Sequence, residues 1–196
     1  MITRLVLTAI VFLAMVPDGH AQTAEPRNVT SIGVARMPAA VRAAHLRQVE
    51  RMKCGDEHAS YYREADEWHR IDLDGDGSDE QLVFLTLEGF GGGNNYSRYL
   101  VVYRYVEPVW FASTVLLVGG KGNASVGGDR LRLVGSDLST DAMFYGPNDG
   151  MCCASVPGRI HFRVGIGGML EPVEHPLSDE AAAYRFMLMF VAPCNA

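Results

Sequence analysis

The chain has 196 residues, of which 48% are hydrophobic and 20% charged, and its formal net charge is −6 at pH 7. This length fits a single domain with a sizeable core. An acidic chain with scattered arginines lacks the basic footprint of nucleic-acid-binding proteins, so nucleic acid is excluded as a partner.

Residues 1–21 contain the regions of a secretory signal peptide in the expected order. Arg4 gives a positive start, Leu5 to Val16 is an apolar run, and Gly19-His20-Ala21 places small residues before a cleavage point. A membrane-spanning helix needs ~20 apolar residues, and this run is shorter. We predict cleavage after Ala21, a periplasmic or secreted location, and no membrane span after signal cleavage. The alternative is an uncleaved anchor or a buried strand.

Residues 22–37 are polar and aperiodic, which predicts a flexible lead-in, and residues 38–196 are predicted to form one α+β domain. A first helix is predicted from Pro38, which suits a first helical turn, to Lys53, with Gly55 as a stop signal. A second helix is predicted from Ser178, an N-cap residue followed by two acidic residues, to Phe190. One side of the first helix carries Val41, Ala44, His45, Gln48 and Met52, widened by Leu46 and Val49.

Between these helices, short segments rich in β-branched and aromatic residues alternate with Gly, Asn, Asp and Pro clusters, which is typical of strands. The short connections favour antiparallel pairing, and alternation within Arg98–Val106 favours one covered face. We predict a single antiparallel sheet of about six to eight strands, curved or barrel-like, with flanking N- and C-terminal helices. The predicted strands are Gln81–Leu87, Arg98–Val106, Val109–Val118, Asp129–Val134, Asp141–Tyr145, Arg159–Val164 and Met169–Val173.

The segment Asp72–Glu80 carries carboxylates at its first, third and fifth positions and Gly77 at its sixth, where a sharp turn lets oxygens converge. Calcium prefers about 6–8 hard oxygen ligands, and clustered carboxylates repel one another without a cation. The alternative is a solvated Asp/Gly turn without an ion. An EF-hand is excluded because Val83 stands at the twelfth position, where that motif needs Glu. We predict one structural Ca²⁺ held by Asp72, Asp74, Asp76, the Ser78 carbonyl and Glu80.

This acidic loop, which leads into a strand, resembles those of extracellular calcium-loop β-proteins, including the FG-GAP type of integrin and propeller repeats. The ninth position is usually Asp there, and Glu80 departs from that pattern.

A longer resemblance joins this loop to a Gly-rich turn before an aromatic strand and to a Cys-Cys block. The chain is similar to uncharacterised bacterial exported proteins and lipoproteins with a D-x-D-G-D-G strand and a Cys-Cys-Pro-Ser/Thr block. Ala154 replaces the usual proline, whereas Ser155 is kept. The resemblance implies that the chain shares the fold and the exported location of these proteins. No activity is attached to that group. Its further segments are Gly91–Tyr96, Tyr99–Val102, Asp129–Leu131 and Gly146–Cys153.

The four cysteines, an even number in a chain with an export signal, favour disulfides. We predict that Cys54 pairs with Cys194, a bridge that would tie both terminal elements to the same side of the sheet. The resembling proteins often carry the Cys-Cys block without other cysteines, which implies that Cys152 and Cys153 pair with each other or form an exposed redox-sensitive couple. The competing arrangement joins Cys54 and Cys194 each to one of that pair and avoids the strain of a vicinal bond.

Two classes of function follow. The first, which we favour, is a non-enzymatic exported binding or structural module stabilised by the calcium loop, with an unknown protein or glycan as partner. The alternative is an extracellular hydrolase acting on a polymer, with acid and base drawn from Asp66, Glu67 and the loop carboxylates; one of them would need a raised pKa. Asp66-Glu67 beside Glu64 is instead typical of an exposed acidic stretch, and no Gly-x-Ser-x-Gly elbow is present, so no catalytic residue is assigned.

Overall fold

The protein is described by a computed structural model that covers residues 27–29, 31–32, 36–128, 130–150, 153–173 and 189–190. These residues form one α-helix, α1 at Ala39–Lys53, thirteen β-strands, and short 3-10 turns at Arg63–Ala65, Phe90–Gly92 and Ile166–Gly168. The strands are β1 Arg27–Asn28, β2 Ser31–Ile32, β3 Ser60–Tyr61, β4 Glu67–Ile71, β5 Glu80–Glu88, β6 Tyr96–Val106, β7 Val109–Gly120, β8 Ala124–Val126, β9 Arg132–Val134, β10 Asp137–Phe144, β11 Val156–Val164, β12 Leu170–Val173 and β13 Met189–Phe190.

Helix α1 matches the first predicted helix. The Pro38 carbonyl accepts a hydrogen bond from the Arg42 amide at 3.0 Å, and the helix ends where Cys54 adopts a left-handed conformation with φ 56°. Leu46, included on the apolar side, is 48% exposed instead. The buried side consists of Val41, Ala44, His45, Gln48, Val49 and Met52.

All described strand pairs are antiparallel, as predicted, but the predicted number of six to eight strands is wrong. The strands run in the order β1-β9-β10-β8-β7-β6-β5-β4-β2, and β3, β11, β12 and β13 pair outside this path. The strands that sequence analysis missed are two to five residues long. Such short segments carry too few residues for a period of two to stand out.

The predicted closed or barrel-like sheet is also wrong, because the sheet is open and folds over at a corner. Strands β7 and β8 share only the pair Gly120–Ala124. Gly120 has φ 150°, and a Cβ there would lie 2.7 Å from the Tyr96 carbonyl oxygen, so only glycine permits this corner.

Folding over creates three layers. One hydrophobic core contains residues of β5 to β7 together with residues of β9 to β12, which shows that the two parts of the sheet face each other. The second core lies between α1 and the other face of β4 to β7. The central strands are therefore covered on both faces, whereas the alternation in Arg98–Val106 predicted only one.

The prediction of a helix on each side of the sheet is also wrong, since α1 is the only α-helix in the part of the chain that the structure describes. Met189 and Phe190, the predicted end of the second helix, form β13 and pair with Leu117 and Leu116 of β7. Pairing with β7 gives the backbone of these two residues hydrogen-bond partners, whereas the last carbonyl groups of a helix have none within the helix. Residues 178–188 of that predicted helix lie outside the described residues.

Residues 27–32, from the predicted lead-in, join the sheet twice. Arg27 and Asn28 pair with Leu133 and Arg132 of β9, and Ser31 and Ile32 pair with β4. One short stretch of chain thus pairs with strands near both ends of the sheet order.

Candidate functional site

The acidic loop connects β4 to β5 and is organised by its own carboxylates. Asp72 accepts hydrogen bonds from the amides of Gly75 at 2.7 Å and Gly77 at 3.0 Å. Asp76 accepts one from the Ser78 amide at 2.7 Å. Gly77 has φ 88°, the left-handed conformation for which glycine is suited. The Asp/Gly spacing therefore produces a tight turn whose side chains point back into the loop.

Three of the predicted calcium ligands converge. Carboxylate oxygens of Asp72, Asp74 and Glu80 all lie within 4.8 Å of one another. Two oxygens that share a calcium ion at about 2.3–2.6 Å can be at most roughly 5 Å apart, so this spacing suits a shared cation. Glu80 is only 3% exposed, and its Oε2 accepts a hydrogen bond from the Leu73 amide at 2.9 Å. Burial raises the pKa of its carboxyl group.

Arg104 of β6 partly neutralises this cluster, and sequence analysis missed it. Its Nε donates to Glu80 Oε1 at 3.3 Å, and its Nη2 donates to Asp74 Oδ2 at 3.4 Å. The loop and β6 lie far apart in sequence, and only the pairing of β5 with β6 brings them together. Three carboxylates against one guanidinium leave an excess of negative charge at the cluster.

Two further acidic residues of the loop lie outside the group of three carboxylates. Asp76 is not part of the group of three carboxylates, and its oxygen is used by the Ser78 amide. Asp79, the other acidic residue at the end of the loop, pairs with Arg70 at the surface. Calcium binding by the five predicted ligands stays a prediction.

A polar cleft of about 400 Å³ lies beside β4, β5, β6 and β8. Arg98, only 7% exposed, forms its core: Nη1 donates to the Ala65 carbonyl at 2.6 Å and to Thr86 Oγ1 at 2.9 Å, and Nη2 donates to Glu67 Oε1. Glu67 Oε2 accepts a hydrogen bond from the Gly128 amide at 2.6 Å. Sequence analysis missed this cleft, although an arginine within the apolar strand Arg98–Val106 is a signal of a buried ion pair.

The interpretation of Asp66-Glu67 as an exposed acidic stretch is wrong for Asp66, whose side chain is 1% exposed. Asp66 Oδ2 accepts a hydrogen bond from the Tyr61 hydroxyl, and the oxygen of that hydroxyl lies 2.7 Å from His45 Nε2. His45 Nδ1 lies 3.0 Å from the Tyr103 hydroxyl. Because Tyr61 donates to Asp66, its oxygen is the acceptor for His45 Nε2–H, and Nδ1 then accepts from Tyr103.

This buried network holds α1 against the sheet. Trp68 stacks on Tyr103 with ring centroids 6.2 Å apart and meets His45 edge-on at 4.9 Å. Burial raises the pKa of both Tyr61 and Tyr103, and the Asp66 carboxylate adds to the shift of each. These hydroxyls therefore stay protonated at any ordinary pH, as expected of structural hydrogen-bond donors.

Asp149 organises the loop that carries the Cys-Cys block. Its carboxylate accepts hydrogen bonds from the amides of Gly146 at 2.6 Å and Ser155 at 2.9 Å, and from the Ser155 hydroxyl. The Gly146 amide, and then the Ser155 hydroxyl, lower the pKa of this carboxyl group. Neither described cysteine, Cys54 or Cys153, is a free thiol. Cys152 and Cys194 lie outside the described residues, so the predicted disulfide pairing stays a prediction.

Replacing Asp149 with asparagine is expected to reduce the loss of stability in acid. A carboxyl group whose pKa is lower in the folded protein than the unfolded value of about 3.9 stabilises the fold above that value. The contribution disappears as the pH falls through the folded pKa. Wild type should therefore lose more of its melting temperature than Asp149→Asn between neutral pH and pH 2. Glu57→Gln, which removes a side chain that is 88% exposed, should keep the wild-type slope; equal slopes for all three would contradict the assignment.

No protein-family model, curated protein sequence or solved structure matches the chain. The resemblance to exported bacterial proteins therefore stays a prediction from motifs. No helix among the described residues is long and apolar enough to cross a membrane.

Proposed function

We propose that this chain is an exported binding module in which the Asp72–Glu80 loop holds one structural calcium ion. The convergence of Asp72, Asp74 and Glu80 within 4.8 Å is the observation that carries the proposal. The signal-like order of residues 1–21 supports export, to the periplasm or outside the cell.

The ion would fix the start of β5. Glu80 is the first residue of β5, and its carboxylate already binds the Leu73 amide on the other side of the loop. A calcium ion shared by Glu80, Asp72 and Asp74 would join both ends of the loop. It would also remove the repulsion that Arg104 offsets only in part. The loop would then hold β4 and β5 in register, as the predicted structural role requires.

The cleft favours binding over hydrolysis. Both oxygens of Glu67 accept hydrogen bonds, one from Arg98 and one from the Gly128 amide. Both carboxylate oxygens are therefore already occupied by partners within the protein. The partner of the module is a protein or a glycan.

Calcium is expected to raise the melting temperature of the full chain. Extracellular calcium modules often bind at ~10⁻⁴–10⁻³ M, so 5 mM calcium should add about 1–2 kcal/mol, or roughly 2–8 °C. The measurement is a thermal melt followed by circular dichroism in 5 mM calcium, in 5 mM magnesium and in chelator. Asp74→Ala, which removes one of the three carboxylates of the cluster, should abolish the calcium-dependent difference.

Asp79→Ala is the matched control, because it removes a carboxylate of the same loop that pairs with Arg70 instead. It should keep the full calcium response. The calcium site is refuted if wild type melts at one temperature in calcium and in chelator. An equal loss of response in Asp79→Ala and Asp74→Ala would contradict the assignment of ligands.

A further inference from the structure

The outer face of the sheet around β10 is regular and reaches solvent. Leu138 and Phe144 of β10 belong to the hydrophobic core between the two parts of the sheet. Side chains alternate along a strand, so Asp141 and Met143 lie on the opposite, outer face. Strand β9 pairs with one edge of β10, and β11 pairs with the other edge in one unbroken register. Met143 is 37% exposed on this face.

Three arginines surround Asp141 on the outer face. Arg159 stands opposite Asp141 on β11 and donates to its Oδ1 through Nε at 3.1 Å and Nη2 at 2.7 Å. Arg130 Nη1 donates to Asp141 Oδ2 at 3.3 Å. The hydrogen bond from Arg159 is the main cause that lowers the pKa of the Asp141 carboxyl group, and the charge of Arg132 also contributes. Among the described residues, three guanidinium groups against one carboxylate leave two positive charges in excess.

This positive cluster lies away from the acidic loop. Asp74 of that loop lines a cavity together with Gly135 and Ser136 of the turn between β9 and β10. Strand β10 begins at Asp137, directly after this turn, and Asp141 lies ~13 Å further along the strand. Exposed charges are largely screened beyond about 8 Å at physiological ionic strength. The acidic loop therefore does not cancel the positive charge around Asp141.

The opposite end of the same face is balanced. Arg163 of β11 stands between Asp137 of β10 and Glu171 of β12. Asp137 also accepts a contact from His161 Nδ1 at 3.1 Å. Although the whole chain has a net charge of −6, an anion is thus attracted to the Asp141 end of this face.

The cluster has donors to offer to an anion. The Arg130 side chain is 67% exposed, and only one of its five N–H donors bonds to Asp141. Arg132 is half-buried and acts on Asp141 through its charge. A guanidinium group presents paired N–H donors that match the two oxygens of a carboxylate.

An apolar surface adjoins the cluster. Met143 follows Asp141 by two residues on β10, and Pro157 stands directly opposite Met143 on β11. Both are exposed on the outer face. Paired side chains on one face of two neighbouring strands lie about 5 Å apart, so these two form one small apolar patch. The ligand that fits this end of the face therefore combines a carboxylate with an apolar surface.

We propose that the Asp141 end of this face binds an acidic glycan, with a uronate carboxylate bonded to Arg130 and Arg132 and a sugar ring packed on Met143 and Pro157. A uronate sugar has a carboxylate on a ring whose C–H groups form an apolar face. The inference rests on the proposed function, because it names an acidic glycan as the partner of the binding module.

The test is a titration of the full chain by isothermal calorimetry in buffer without added calcium, because uronate carboxylates themselves bind calcium. The probes are tetragalacturonate, tetramannuronate and a hyaluronan tetrasaccharide. We expect saturable binding of at least one of them, and weaker binding as salt screens the ion pairs. The methyl ester of the same probe should not bind, because it keeps the sugar rings and removes the charge. Hexaglutamate and phosphatidylglycerol vesicles provide the acidic-peptide and membrane arms.

Arg130→Gln combined with Arg132→Gln should weaken binding about tenfold or more, as expected for the loss of two exposed ion pairs. Arg36→Gln combined with Arg47→Gln is the matched control. It removes the same charge from two exposed arginines at and before α1, away from this face. The control should bind as wild type does. The methyl ester tests the same contact on the unchanged chain.

The inference is overturned if the methyl ester binds as tightly as the acid, or if the two double variants bind equally. Binding of only hexaglutamate or only the vesicles also overturns it. If no uronate probe binds while calcium still raises the melting temperature, the inference fails and the calcium site stands. If a uronate probe binds as described but calcium leaves the melting temperature unchanged, the inference stands and the calcium site fails.

Discussion

Replacing Arg98 with methionine is expected to destabilise the protein by about 3 kcal/mol, the lower end of the cost of breaking a buried ion pair. Methionine keeps most of the aliphatic volume but leaves the Glu67 carboxylate and Thr86 Oγ1 without their guanidinium partner. The lower end applies because the Glu67 side chain is 32% exposed and water screens part of its charge. Urea unfolding at neutral pH measures the difference in free energy of unfolding.

Two further variants separate the buried pair from an ordinary surface pair. Arg98→Met combined with Glu67→Gln removes both charges and should recover part of the lost stability. Arg70→Met breaks the surface pair with Asp79, whose partners are 55% and 40% exposed, and should cost about 0–1 kcal/mol. If Arg98→Met cost no more than Arg70→Met, the ion pair would not stabilise the cleft.

Replacing Trp68 with alanine is expected to cost about 3–5 kcal/mol, as other large aromatic-to-alanine changes in cores do. Trp68 is completely buried and packs between His45 of α1 and Tyr103 of β6. The substitution would leave a cavity and would remove the ring that packs α1 against the sheet. Urea unfolding gives the size of the loss, and near-ultraviolet circular dichroism would show looser packing around the tyrosines.

Trp110→Ala is the matched control for this loss. Trp110 is only partly buried and packs against Tyr105 at 5.5 Å near the tip of the β6–β7 hairpin. Its removal should cost clearly less, because less apolar area returns to water. Equal losses for the two tryptophans would show that the core between α1 and the sheet is not centred on Trp68.

The parts of the site that sequence analysis predicted are held by hydrogen bonds between residues close together in the sequence. The bonds from the amides of Gly75 and Gly77 to Asp72 span three and five residues, so the spacing of Asp and Gly alone determines them. Arg104 reaches the same loop from 24 and 30 residues away. Contacts of that kind depend on strand order, which local patterns do not encode.

The same distinction explains the strands. The bounds of β5, β6 and β7 are predicted to within a few residues, because these long segments are rich in β-branched and aromatic residues. Strand β4 was missed because its polar residues gain partners only in the folded sheet, as Glu67 does with Arg98. The fold-over at Gly120 follows from the approach of Tyr96, 24 positions earlier, and neither residue indicates a corner by itself.

The double pairing of residues 27–32 has a consequence for the order of assembly. This segment is made early in synthesis, yet its partner β9 ends at Val134, about a hundred residues later. Bringing such distant segments together carries a loop-closure cost that only later contacts repay. We therefore expect this segment to pair with β4 and β9 late in folding. Until it pairs, the strand edges that it covers on β4 and β9 stay open to pairing with another chain, so a chain that has not finished folding is most prone to aggregate there.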